Sequence, residues 1–599
     1  MVVRALITTD DEQTWPKSED EPVLFLGEWC KRYSRKEKWE KLNATVVPYH
    51  WDDRKLLYSD YQYLQELYEK LLVELSHKLN QIHGTDNSHR YWRILIGPWL
   101  GYFTQELFDR WTSIQNAIHN YELSGTVILA GQEESFVAND MAHYLKLVVK
   151  SDWNHYIYSY ILKQHTNVRC TEKIREPIKK QLQESSDRYW YKKFINIKGK
   201  VFDFPDKITR LLTRDNDAFF INTYLPRFDE IKLHLRMAQI PRFLRETPTI
   251  ETAFDINMRK WELYEENSSE FEACARTLIP QQIPTIYLEG FTKLAEQVAV
   301  KSWPSSPKVI FTSNNYSTDD IFKYYAAEKT EQGSPLVTGQ HGGGIGTHLF
   351  AFYEDHQIDI CDTYLSWGWT EDSMPKVKSI GQLKSKQPLG VQHSTQDGIL
   401  LVTSKEPLNS HQIFSGPLAG QMLDYLDDQF EFVGALIPTI RNVLKVRLKA
   451  DTYGWEPIER WKNRFPDILI DEGYIKINKL IQKSRIYVST YNATTYLESF
   501  TMNVPTVIYW NSNHWELRNS AIPYFNKLRE VGIFHDTPQS AAQHVNEIWE
   551  DVNLWWESDA VQDALKSFKT RYCFLPDNLL DRVEGALKDE IKISKKVGS

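Results

Sequence analysis

Apolar residues recur along this chain in short buried runs and in long amphipathic stretches, and the two alternate. Ala5–Thr9, Val23–Leu26 and Thr45–Pro48 are compact apolar or β-branched runs ending in polar or glycine residues, the signature of short buried strands. Tyr61–Ile82 follows with Leu64, Leu67, Tyr68, Leu71, Leu72, Leu75 and Leu79 at three-and-four spacing, which predicts a helix with one buried face. Trp92–Gly97 reads as a further strand and Leu100–His119 as a further helix. From about residue 140 to 300 the pattern turns helical and aromatic, with helices predicted over Met141–Trp153, Pro177–Phe194, Phe228–Phe243 and Ile256–Ile279.

Strand signals return at Val309–Thr312, Pro335–Thr338 and Thr363–Trp367, separated by one helix capped at Ser317 or Thr318 and another around Thr347–His356. A polar stretch over 379–397 reads as a connection, after which the alternation restarts. Gly398–Thr403, Val443–Leu448, Ile468–Ile470, Ile486–Ser489 and Thr506–Tyr509 are strand-like, and Tyr474–Ser484 and Tyr496–Met502 are helical. Strands alternating with helices predict an α/β protein with parallel sheets. The expected architecture is two Rossmann-like domains facing a cleft. The N-terminal one spans 1–385 with a large helical insertion at about 140–300, the C-terminal one spans 396–560, and a helical tail covers 561–599.

Composition narrows the function classes. Lys and Arg number 71 against 80 Asp and Glu, a net charge of −9 that argues against a general nucleic-acid binder. Five cysteines, odd in number and without close pairs, point to a reducing compartment and no structural zinc. The start, MVVRALITTDDEQ, turns acidic too early for a leader, and the apolar stretch Tyr91–Phe103 is too short to span a bilayer. A cytoplasmic protein is expected. The tail lysines Lys588, Lys592, Lys595 and Lys596 suit peripheral contact with the inner membrane or, more simply, a solvated end.

Two stretches carry chemistry. In the first, Gly339-Gln340-His341-Gly342-Gly343-Gly344-Ile345-Gly346 follows a strand, and its five glycines in eight residues let backbone approach a ligand closely. Gln340 and His341 fall at the C-terminal edge of that strand, where ligands bind in open α/β sheets. His341, Gln340 and Glu354, in the segment beyond, are the candidate catalytic residues, and Gly342, Gly343 and Gly344 the loop that makes room. The run lacks the last glycine of a dinucleotide fingerprint. A His after a strand can also be a purely structural residue.

In the second, Ile486–Ser489 runs into Thr490-Tyr491-Asn492-Ala493-Thr494-Thr495 and then a helix. Asn492, Thr494 and Thr495 at a helix start suit a phosphate, Glu498 one turn inside can accept ribose hydroxyls, and Arg447 and Lys449 can neutralise phosphate charge. Each has a duller reading as a cap or surface pair. Asp215-Asn216-Asp217 matches an Asp-x-Asp pattern but follows no strand, so it reads as a chance match, and no metal site or cofactor is expected.

The segment IYVSTYNATTYLESFTMNVPTVIYW (486–510) resembles the nucleotide-sugar element of GT-B glycosyltransferases. Over nearly the whole chain, VLFLGEW, YHWDDR, YWRILIGPWL, QHGGGIG, LSWGW, DTYGW and STYNATTYLESF resemble the transferase family of bacterial O-antigen gene clusters. The Arg447-Leu448-Lys449 segment departs from related capsule transferases, which carry a His-Pro pair after the arginine. The resemblance implies a glycosyltransferase that moves a sugar from a nucleotide-sugar donor to a glycan or lipid-linked glycan acceptor in surface-polysaccharide synthesis. A nucleotide-activated alcohol phosphotransferase and a non-catalytic saccharide-binding protein are the alternatives.

Overall fold

The computed structural model describes residues 2–131, 133–176, 213–242, 244, 250–384, 398–449 and 453–597. The helix expected over Pro177–Phe194 and most of the 379–397 connection lie outside them. Strands β1 (Arg4–Ile7), β2 (Val23–Phe25), β3 (Ala44–Val46), β4 (Leu123–Ala130) and β5 (Cys170–Ile174) form a parallel sheet in the order β3-β2-β1-β4-β5. Strands β6 (Phe219–Ile221), β7 (Ile310–Thr312), β8 (Leu336–Gly339), β9 (Thr363–Ser366) and β10 (Val377–Ser379) form a second, in the order β10-β9-β8-β7-β6. Strands β11 (Ile399–Val402), β12 (Leu444–Arg447), β13 (Leu469–Asp471), β14 (Ile486–Ser489), β15 (Thr506–Tyr509) and β16 (Phe534–His535) form a third, in the order β13-β12-β11-β14-β15-β16. All are parallel, and the central strands are buried on both faces, which is why their sequences read as unbroken apolar runs.

The sequence reading places one sheet in residues 1–385, and the structure holds two. The span 140–300 is not a helical insertion but the passage between them, containing β5 of one sheet and β6 of the next. A second correction has a clear cause. Trp92–Gly97 is not a strand; it lies within one helix, His89–Asn120, opened by Ser88, whose hydroxyl accepts from the Tyr91 N–H. Tyr91–Phe103 is buried almost all round, apart from Arg93, so the run shows no polar stripe and its helical period is hidden. Together with the helix Arg54–His83 it forms a pillar against which the second sheet's helices pack. Likewise Met141–Trp153 divides into Met141–Leu147 and Ser151–His165, and of Ile256–Ile279 only the part from Glu270 is α-helical.

The first sheet's domain grips the third from the side. Arg54 donates to Glu516 (2.7 Å) and Gln421 (2.9 Å), and the Ser34 hydroxyl donates to Glu456 (2.6 Å). At the other end the tail helix Leu579–Val597 packs Val583, Ala586 and Leu587 against Val309, Phe311, Val337 and Leu365 of the second sheet's domain. No described helix is long and apolar enough to cross a membrane.

Candidate active site

The C-terminal ends of β8 and β14 converge. The glycine run leaves β8, and Gly343 lies so close to the start of the helix Thr494–Thr501 that a Cβ there would stand 2.6 Å from the Ala493 carbonyl oxygen. The Gly343 N–H donates to the Thr494 hydroxyl at 3.1 Å. Gly346 takes a φ of +80° against the Trp369 ring, a conformation that turns the chain across to the third sheet's domain. There the Arg518 N–H donates to the Thr347 carbonyl (2.9 Å), and His348 and Leu517 form a β-bridge. The two chemical stretches singled out in the sequence therefore touch at this junction.

Several expected site residues are spent on building this junction. Gln340 is 1% exposed and fully engaged: its amide nitrogen donates to the Gly342 carbonyl (2.7 Å), and its oxygen accepts from the Trp367 N–H (2.8 Å) and Trp369 indole (2.9 Å). It braces the loop and has no group left for substrate. Glu354 accepts from the Gly346 N–H (2.9 Å) and pairs with Arg518 (2.6 Å), so this buried carboxylate holds the crossing point. Asn492 does not cap the helix. Its amide donates to the Thr347 hydroxyl (3.0 Å), and its oxygen accepts from Tyr496 (3.0 Å). Arg447 is committed to Asp471 (2.7 Å) and the Gly473 carbonyl (3.1 Å), which removes it from the set of cations open to a phosphate. Thr495 accepts from the Tyr487 hydroxyl at 2.6 Å.

Other groups at this junction keep bonding capacity. His341 is half-buried between the Tyr316 and Tyr353 rings, at 6.3 and 6.2 Å, with Nδ1 3.5 Å from the Tyr316 hydroxyl. Burial and then the nearby Lys384 push its pKa down to about 4, so the ring is neutral at physiological pH rather than titrating there. Glu498 has a carboxylate oxygen that is buried and unpartnered among the described residues. Burial raises its pKa and Lys384 opposes the rise. The helix that carries it, Thr494–Thr501, has at its N-cap Ala493, whose methyl side chain cannot cap, so the first-turn N–H groups lack a side-chain acceptor. Lys449 lies on the rim with its ammonium 5.8 Å from the centre of the Tyr491 ring.

Sequence reasoning missed Tyr316, Tyr353, Lys384 and Glu406. Tyr316 was legible in part, because Asn314-Asn315-Tyr316 follows β7 as a polar run at a strand end. Glu406 stands just past β11, and burial pushes its carboxyl up to about 7 against the pull of Lys449 and Lys405. Asp215 and Asp217 form a turn in which Asp217 accepts from Arg214, and no cluster of three or more His, Cys, Asp or Glu among the described residues could hold a metal ion. A cavity of about 680 Å³ lined by Tyr524, Asp563, Lys566, Ser567 and Arg571 lies elsewhere. It gathers mainly solvated side chains and includes neither His341 nor Glu498, so it is the weaker candidate.

A two-walled cleft at parallel strand ends, with a neutral imidazole on one wall and an open helix start with an unpaired carboxylate on the other, is a layout for group transfer. The chain matches the LIC12162 family transferase over residues 4–584 and belongs to that family. No curated protein matches it. Among solved structures it is similar to TarM of S. aureus, at 12% identity over 47% of this chain and 55% of that one, with a TM-score of 0.31. It is also similar to the pneumococcal O-GlcNAc transferase GtfA (11% identity, 47% and 57% covered, TM-score 0.31). The wall teichoic acid polymerase TagF gives 10% identity, 68% and 98% covered, and a TM-score of 0.31. The match spans little more than half the length of the first two. Resemblances this remote say nothing of the site.

Proposed function

We propose that the protein is a glycosyltransferase that moves a sugar from a nucleotide-sugar donor to a hydroxyl of a surface-polysaccharide acceptor. The observation that carries the reading is the unpartnered carboxylate of Glu498 beside an uncapped helix start, across the cleft from a neutral His341. Glu498 suits the two ribose hydroxyls, and the free N–H groups of the helix start suit a phosphate. In the transfer, the acceptor oxygen forms a bond to the anomeric carbon while the bond from that carbon to the phosphate oxygen breaks. The acceptor's proton passes to His341, and the nucleotide leaves with the bonding pair. The buried Tyr316 and the half-buried Tyr353 keep the imidazole in place.

Thermal unfolding with UDP, GDP, dTDP and CMP tests the reading. One of them, at 100 times its dissociation constant, should stabilise the fold by about 2.7 kcal/mol. Glu498→Ala, folded as the wild type, should lose most of that gain. A wild-type protein stabilised by none of the four nucleotides, or a Glu498→Ala variant stabilised as fully as the wild type, contradicts the proposal. A product gaining a phosphodiester instead of a sugar would move the protein to the phosphotransferases.

A further inference from the structure

The segment Gln382–Lys384 links the two walls of the cleft. Leu383 presses on the end of β8, where a Cβ on Gly339 would stand 2.6 Å from its Cδ1, two residues before His341. The Gln382 side chain accepts from Thr501 (3.3 Å), one turn beyond Glu498 on the helix of the opposite wall. Lys384 follows directly and places its ammonium 4.4 Å from the centre of the Tyr224 ring, whose hydroxyl accepts from Asn314 (2.9 Å) at the end of β7. The charge is felt on both sides, lowering the pKa of His341 and opposing the rise of Glu498.

The other cations near the cleft are placed differently. Arg447 is bound to Asp471 and Arg518 to Glu354, while Lys449 stands on the rim beside Tyr491 and Glu406. Glu498 and Thr501 lie three residues apart on one face of that helix, so a phosphate seated beside Glu498 would lie on the face from which Gln382, two residues before Lys384, approaches. Resting a cation on an aromatic face holds it in position while leaving its N–H donors free to turn to a stronger acceptor.

We propose that Lys384 is the cation that receives the diphosphate of the donor, binding it in the ground state and holding its charge as it leaves. This rests on the glycosyltransferase reading and assigns to that site a residue from the segment between its two domains. It also links donor and base: once the diphosphate answers the Lys384 charge more fully than Glu498 alone does, that charge weighs less on His341, which becomes the better proton acceptor.

Two measurements on Lys384→Met and Lys384→Arg test the proposal. Calorimetric titration with UDP, GDP and dTDP, each beside its nucleoside, should show Lys384→Met weakening the diphosphate at least 10-fold with the nucleoside unchanged, and Lys384→Arg recovering most of it. Separately, NMR titration of His341 in the protein without nucleotide should show its pKa rising in Lys384→Met. Equal diphosphate affinity in Lys384→Met and wild type overturns the proposal while leaving the donor reading intact. A wild type that binds none of the three but binds CMP overturns the proposal and keeps the donor reading, and a wild type that binds none of them, CMP included, removes both together. An unmoved His341 shows that Lys384 does not face it and overturns the placement on which the proposal stands, whatever the nucleotides do.

Discussion

At the inner seam of the cleft the protein answers its own polar groups; at the mouth, along the same two loops, it leaves them open. Gln340 is bonded to Gly342 and Trp367, Glu354 to Gly346 and Arg518, and Asn492 to Thr347 across the junction. His341, next to Gln340, and Glu498, in the helix that follows Asn492, stand half-buried with bonding capacity left over. A buried polar group without a partner costs about 1–3 kcal/mol, so such groups persist where a ligand completes them, whereas the seam gains rigidity by completing itself. A motif is thus a mixture: some of its residues build the shape and others keep bonding capacity for a ligand.

The sharpest way to break that division is at His341. His341→Ala should lower turnover by about 10²–10⁴-fold, the usual cost of removing a general base, while nucleotide affinity on the opposite wall stays within a few-fold. His341→Asn keeps a hydrogen-bonding side chain but accepts no proton, and should be as slow as the alanine variant. If purified His341→Asn turns over near the wild-type rate, His341 belongs with the structural half.

Glu354 is the complementary test. Glu354→Gln keeps an acceptor for the Gly346 N–H but leaves Arg518 without its counter-charge. Breaking a buried pair from one side costs about 3 kcal/mol or somewhat more, to be read as a lower urea midpoint. Activity per folded molecule should hold within a few-fold. A loss of 100-fold in turnover at unchanged stability would return Glu354 to the chemistry and blur the line drawn between seam and mouth.

How far the sequence carried follows the same line. Eleven of the sixteen strands and the two loops were legible because buried parallel strands are short apolar runs ending in polar residues, and a glycine run after a strand has few other uses, whereas β4, β5, β6, β10 and β16 were not read. Trp92–Gly97 misled because a helix buried on nearly all sides has no polar face to show its period. The division of residues 1–385 into two sheets was hidden because nothing in the local pattern of β6, three residues long, says which sheet it joins. Within the site, residue type could not separate Arg447 from Lys384. Both are cations near strand ends, and only the position of Asp471 on the neighbouring strand shows that one of them is occupied. Asn492 failed for a similar reason, since a cap and a cross-cleft bond ask for the same amide.

Acid offers the mildest perturbation of the seam, through His348. Its Nε2 faces the Asn492 carbonyl (3.2 Å) and its Nδ1 the Tyr353 hydroxyl (3.1 Å), which fits a neutral ring that donates to the first and accepts from the second. Burial is the main cause that pushes its pKa down to about 4, Arg518 adds to it, and the Asn492 carbonyl opposes both. Above pH 6.5 the ring is neutral in folded and unfolded chains alike and contributes no pH dependence. Between 6.5 and about 4 the unfolded chain takes up the proton and the folded one does not, so stability falls as the pH falls, by on the order of 3 kcal/mol at most from this residue. His341 and His356, also lowered, act in the same direction, while the Glu406 and Asp355 carboxyls, pushed up to about 7 by burial, act in the opposite one, so His348 accounts for one component of the slope of melting temperature between pH 7 and 5, the component that loses stability toward acid. In His348→Gln, which retains a donor for the Asn492 carbonyl, that slope should be shallower while the melting temperature at pH 7.5 moves little. Parallel curves for variant and wild type across this window would mean that His348 is not held neutral by the seam. The contact between the glycine loop and the Asn492 turn would then be more open to water than the bonds described above allow.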